Sequence, residues 1–200
     1  MNSIEAFNHA LFLHINGAID TPTWIVDIAI VTGNYLIYLI PALLLMLWLH
    51  GTQATRNLAV KACLVAMLGI GINQIIPLFW QHPRPFMEGL GHTWISHAAD
   101  SSFPSDHMTV FSAVGLTLLL DGAFWIGLTV LMAGLCVAWA RVFLGVHFPL
   151  DMVGAVGIAV CSYLFVSPLW RRTGSVITAL AERLYRAVLA RPIAAGWLRR

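Results

Sequence analysis

The sequence predicts an all-α fold, a polytopic transmembrane helical bundle of five to six spans. Three observations carry this reading. Hydrophobic residues make up 59% of the 200 residues and charged residues only 10%, at a mean hydropathy of +0.80. A soluble domain carries about 25% charged residues, so a disordered chain, a nucleic-acid binder and an ordinary cytosolic enzyme are excluded. Apolar runs close to membrane length recur with short loops between them. None alternates with period two, so they are helices rather than barrel strands.

Residues 1–20 place Ile4, Phe7, Leu11 and Ile15 near one helical face with Glu5 and His9 off it. That pattern predicts a short amphipathic helix lying in the interface. The stretch lacks a basic start and carries Glu5, His9 and His14, so no cleavable signal is expected. A second short helix begins at Thr23, after Pro22, and leads into the first span at 34–49, with 24–31 as its extension. The further spans are 56–80, 105–120, 123–144 and 149–169, and the only long connection is 81–104. The chain therefore reads as one integral-membrane domain over 1–200: interfacial helices at 1–32, a transmembrane core at 34–169 and a basic tail at 170–200. Within the tail, 175–190 has the pattern of an amphipathic helix on the inner leaflet. Cys63, Cys136 and Cys161 stand singly in apolar runs and read as small apolar filler, with neither a disulfide nor a zinc site expected.

Orientation follows from the cations. Nine of the eleven (Arg56, Lys61, Arg171, Arg172, Arg183, Arg186, Arg191, Arg199 and Arg200) fall on one side of this topology, which is therefore cytoplasmic. The N-terminus is then outside and the C-terminus inside. Glu5, Asp20, Asp27, Glu88, Asp100, Asp106 and Asp151 lie outside, and Trp48, Trp80, Trp125, Trp139 and Trp170 sit near span ends as interfacial anchors.

Arg84 and Arg141 are placed against the positive-inside rule. They lie in WQHPRPF (80–86) and ARVFLGVHFPLD (140–151), with FPSDH (103–107) on the same face. Two arginines, two histidines, a serine and an aspartate thus converge at one membrane surface, where an ionisable group is costly and points to function. The residue types fit an anion site. Arg84 and Arg141 are fixed positive charges suited to phosphate. Ser105 would cap the third span, directing its hydroxyl and the first free N–H groups to the same place. His147 and Asp151 are spaced i, i+4, so on a helix starting near His147 the carboxylate holds the imidazole in one tautomer, leaving the other nitrogen to attack phosphorus. His107 is placed to protonate a leaving oxygen.

The set R-P, P-S-x-H and R-x5-H-x3-D resembles the type 2 phosphatidic-acid phosphatase superfamily. RPF with nearby Glu88, SFPSDH (102–107), RVFLGVHFPLDM (141–152) and P-I-x-x-G-W (192–197) are similar to its BcrC-type undecaprenyl-diphosphate phosphatases, in particular the enterobacterial members. The resemblance covers nearly the whole chain. It implies His147 as the nucleophile, Asp151 as its orienting partner, His107 as general acid, and Arg84, Ser105 and Arg141 as holders of the transferred phosphoryl group. It also implies no metal and no cofactor. Three positions depart from the wider superfamily: Pro77 stands where a lysine is usual, Ala140 where serine is common, and Asp106 where glycine is common. Gln74, Gln81 or His82 could stand in for the lysine, and Glu88 and Asp106 join Gln81 and His82 as accessory candidates.

The short third span, 16 residues or about 24 Å against a core of about 30 Å, sets His107 slightly below the outer surface, at a depth suited to a lipid phosphate. Physical reasoning reaches a lipid phosphate or diphosphate. The resemblance implies a polyprenyl diphosphate, hydrolysed at the periplasmic face of the bacterial inner membrane, with bacitracin resistance on overproduction. The alternatives are a phosphatase for phosphatidylglycerophosphate, phosphatidic acid or lipid A, or, more remotely, a transporter with a histidine proton relay. The partners expected are the bilayer and the lipid substrate, with no nucleic acid; the sequence leaves the oligomeric state open.

Overall fold

The computed structural model describes residues 3–191; the P-I-x-x-G-W motif at 192–197 lies outside them. Its helices, in chain order, are α1 (Ser3–Ile15), α2 (Thr23–Tyr35), α3 (Leu39–His50), α4 (Gln53–Ile75), α5 (Asp106–Leu120), α6 (Phe124–Phe143) and α7 (Pro149–Val188). No strand occurs among the described residues.

Helix α5 is the axis of the bundle, packed by α4, α6 and α7. Its sequence is apolar or small all round, and Thr109, Phe111, Ser112, Ala113, Val114, Thr117 and Leu118 are all buried, as expected of a helix without a solvent face. The core joins Phe111, Val114 and Leu118 to Ala62 and Val65 of α4, Val130 and Val137 of α6 and Ala159 of α7. Small residues let α5 and α6 approach: a Cβ on Gly127 would lie 2.2 Å from the Leu119 backbone nitrogen. The outward faces carry large exposed apolar side chains, among them Met67, Leu78, Phe79, Trp125, Leu135, Leu164 and Phe165, which is the surface a lipid-embedded bundle presents.

Four helical stretches are long and apolar enough to cross a membrane, Thr23–His50, Gln53–Leu78, Phe124–Phe143 and Pro149–Val188, and Asp106–Leu120 is a shorter apolar helix. Together they match the five expected spans. The first is longer than 34–49, because a 3₁₀ turn at Leu36–Tyr38 joins α2 to α3 rather than ending the helix. The expected tail helix at 175–190 runs to Val188 as the unbroken end of α7, despite Pro168 inside it. The cysteines lie on exposed helix faces rather than in the core.

Helix α1 is short, and the face it buries is not the one its apolar pattern marks. Ile4 and Phe7 are exposed, while Asn8 and Phe12 are buried. The Leu150 backbone nitrogen, in the first turn of α7, donates to Asn8 Oδ1 at 3.1 Å, and Phe12 meets Phe148 edge-on at 5.3 Å. α1 therefore braces the start of α7.

Candidate active site

One end of the bundle gathers the C-terminal part of α4, the N-terminus of α5, the C-terminus of α6 and the N-terminus of α7. A cavity of about 280 Å³ opens there, lined by Asn73, Gln74, Arg84, His97, Asp106, His107, Arg141 and His147 among others. The opposite end holds the buried ion pair Arg56–Glu182 at 3.4 Å and the part-buried pair Lys61–Asp121 at 2.5 Å.

His147 precedes α7, whose first residue is Pro149. Its geometry with Asp151 is thus not two residues on one helical face. Asp151 is the third helical residue, and its carboxylate turns back over the helix start, where Oδ2 accepts from the Phe148 backbone nitrogen at 2.7 Å. The same oxygen accepts from the Ser102 hydroxyl and lies 3.3 Å from His147 Nδ1. At the other side of the ring, Arg84 Nη1 lies 3.3 Å from Nε2. A guanidinium can only donate, so Nε2 carries the lone pair and Nδ1 the proton, which points to Asp151. The tautomer is set from both sides. Burial, with Arg141 and Arg84 adding to it against the pull of Asp151, brings His147 down to about 4, so the imidazole is neutral near pH 7.

Arg84 is buried, and four of its five N–H donors have partners within the protein, leaving one on Nη2. It donates to the Val146 carbonyl at 2.8 Å, the Ser101 carbonyl at 3.2 Å and Asp100 Oδ1 at 2.8 Å. Arg141 reaches the cavity from the last turn of α6, where Nη1 donates to Asn34 Oδ1 at 3.2 Å. Its Nε is buried without a hydrogen-bond partner. Ser105 occupies the α5 N-cap position, but its hydroxyl caps nothing and is buried without a partner. Pro104 and Asp106 on either side of it line the cavity, and Ser105 does not. His107, in the first turn of α5, lines the same cavity as His147.

Asp106 also lines the cavity, yet its carboxylate is held by amides: Asn73 Nδ2 donates to it at 2.8 Å and Gln74 Nε2 at 3.3 Å. Gln74 thus answers Asp106 rather than replacing a lysine, and Pro77 contributes wall only. The other accessory candidates lie elsewhere. Gln81 is exposed. His82 and Glu88 join Glu5 and His9 in a knot behind Phe148, with His82–Glu5 at 3.3 Å and His9–Glu88 at 3.3 Å. Sequence reasoning missed Ser102, Asp100, Asn34, Asn73 and His97. Among the described residues, no three His, Cys, Asp or Glu side chains are grouped to hold a metal ion.

A buried imidazole with one nitrogen anchored and the other beside an arginine, at a cavity with a second arginine, is an arrangement suited to phosphoryl transfer on a helical membrane bundle. Residues 58–174 match the PAP2 superfamily. The chain is 35% identical over 196 residues to YbjG of Escherichia coli (strain K12), provisionally named an undecaprenyl-diphosphatase, covering 98% of this chain and 99% of that one. It is 30% identical to the undecaprenyl-diphosphatase BcrC of Bacillus subtilis (strain 168), covering 92% and 97%. The crystal structure of Aquifex aeolicus LpxE superposes with a TM-score of 0.60 at 20% identity, covering 80% of this chain and 93% of that one. The chain belongs to the PAP2 superfamily, and it is a multi-pass membrane phosphatase.

Proposed function

We propose that this protein hydrolyses undecaprenyl diphosphate to undecaprenyl phosphate and inorganic phosphate through a phosphohistidine on His147. The observation that carries the reading is the His147 ring itself, anchored through Nδ1 by Asp151 and presenting Nε2 beside Arg84. Nε2 attacks the terminal phosphorus, and the P–O bond to the inner phosphate breaks. His107 delivers a proton to that leaving oxygen. The Asp151 carboxylate stabilises the positive charge that develops on the ring. Arg84 and the free Nε of Arg141 neutralise the equatorial oxygens of the transferred group. Water then attacks the phosphohistidine, His107 takes its proton, and the N–P bond breaks to restore His147. Positioning and fixed charge do most of the catalytic work.

The site lies on the periplasmic side of the inner membrane. The cations Arg56, Lys61, Arg171 and Arg172 occupy the other end of the spans, and the positive-inside rule makes that end cytoplasmic. The names of the relatives favour a polyprenyl diphosphate over other lipid phosphates. Regenerating the monophosphate carrier outside the cell would raise bacitracin resistance. All the titratable groups of the cavity sit at one end of the bundle, whereas a transporter relay would lie near the bilayer midplane.

The test is phosphate release by purified protein from undecaprenyl diphosphate, phosphatidylglycerophosphate, phosphatidic acid and lipid A. Preference for the diphosphate is expected. Faster turnover of any other lipid replaces the substrate assignment, and loss of no activity in His147→Ala removes the mechanism.

A further inference from the structure

His97 lines the cavity, yet the mechanism above gives it no task. It comes from the long connection between α4 and α5, and its ring centre lies 6.4 Å from that of His147 at an interplanar angle of 71°. Nδ1 is 3.1 Å from the Ala98 carbonyl oxygen. A carbonyl only accepts, so Nδ1 carries the proton and Nε2 carries the lone pair. Nδ1 also lies 3.8 Å from Asp100 Oδ1, the oxygen that receives Arg84 Nε at 2.8 Å. His97, Asp100 and Arg84 therefore form a chain from the cavity wall to the nucleophile.

The charges around the cavity show why such a group is needed. Its walls carry Arg84 and Arg141 against Asp100 and Asp106, which sum to zero, together with the histidines His97, His107 and His147. A diphosphate ester brings more than one negative charge into these balanced walls. The compensating proton must come with the histidines. His147 has to stay neutral to attack, and His107 gives its proton to the leaving oxygen. His97 is the titratable group left over. Burial, with Arg84 and Arg141 adding to it, holds His97 below the ordinary histidine value, against the Ala98 carbonyl and Asp100. An arriving anion offsets those arginines and favours proton uptake.

We infer that His97 marks a subsite for the second phosphoryl group, where Nε2 and a non-bridging oxygen of the inner phosphate share one proton. This rests on the diphosphatase reading and makes His97 the residue that distinguishes a diphosphate from a monophosphate. A lipid monophosphate fills only the ground between Arg84, Arg141 and His147 and does not reach this subsite.

The experiment compares kcat/KM for farnesyl diphosphate and farnesyl phosphate in wild type, His97→Asn and His97→Phe. Asparagine keeps an amide donor for the Ala98 carbonyl and removes Nε2; phenylalanine keeps the ring shape and removes both nitrogens. Losing a hydrogen bond to a charged partner lowers diphosphate turnover about 10- to 100-fold, with a change of less than about threefold on the monophosphate. If one variant does not fold, the other gives the ratio. Equal losses on both substrates, or no loss on either, overturn the subsite while leaving the diphosphatase reading intact. Wild-type protein that releases no phosphate from the diphosphate overturns that reading and the subsite with it.

Discussion

Replacing Asp151 by asparagine separates the position of the side chain from its charge. In the native site, Oδ2 accepts from the Phe148 backbone nitrogen at 2.7 Å and from Ser102, and lies 3.3 Å from His147 Nδ1. Asparagine can keep its oxygen toward Phe148 and Ser102, so the α7 N-terminus stays capped at a cost of a few tenths of a kcal/mol. That oxygen also keeps an acceptor 3.3 Å from Nδ1, so the ring stays in place with its proton on Nδ1. What is lost is the carboxylate charge that balances the forming imidazolium. At an effective dielectric of about 20, a unit charge at that distance is worth about 5 kcal/mol, which lowers kcat roughly 1,000- to 10,000-fold. The assay is inorganic phosphate release under saturating lipid, with circular dichroism and gel filtration as folding controls. Folded Asp151→Asn that retains kcat within about tenfold of wild type refutes the argument that the Asp151 charge stabilises the imidazolium.

Other perturbations separate the remaining parts. Ser102→Ala removes one donor to Asp151 but leaves the tautomer set by Arg84, so kcat falls by about tenfold to a hundredfold; a loss as large as that of Asp151→Asn contradicts this division. His107→Ala slows turnover of undecaprenyl diphosphate far more than turnover of a substrate with a strongly acidic leaving group, and equal losses remove His107 as the acid. The neutral His147 imidazole is the attacking form, so kcat/KM falls with decreasing pH as that ring protonates, with its acid limb near the His147 value of about 4. A limb at the ordinary histidine value contradicts the buried, desolvated ring. Gly127→Ala places a methyl 2.2 Å from the Leu119 backbone nitrogen, in backbone that cannot yield. It costs about 1–3 kcal/mol and lowers the melting temperature; an unchanged melting temperature contradicts the close α5–α6 contact.

The spans were legible because apolar length is a direct consequence of the bilayer. Arg84, His107, Arg141, His147 and Asp151 were legible because costly residues at the ends of apolar runs need a reason to be there. Their neighbours were harder to read. Ser102, Asp100 and His97 lie in the irregular stretch between α4 and α5, which has no periodicity to place a side chain. Asn34 was read as the edge of a span, and only the packing of α2 against α6 brings it to Arg141. On α1, Ile4 and Phe7 of the apolar stripe are exposed, while the polar Asn8 is buried to receive the first turn of α7, a contact that no pattern in the sequence marks. Gln81, His82 and Glu88 were grouped with the site by nearness in sequence. The chain turns after Trp80 and carries them away from the cavity.

Rapid quench of the protein with substrate labelled in its terminal phosphate, under conditions that preserve acid-labile bonds, followed by peptide mapping, tests the covalent step most directly. Label recovered on the peptide carrying His147, and absent in His147→Ala, is the expected result. Label on another residue, or full turnover by the variant, contradicts it.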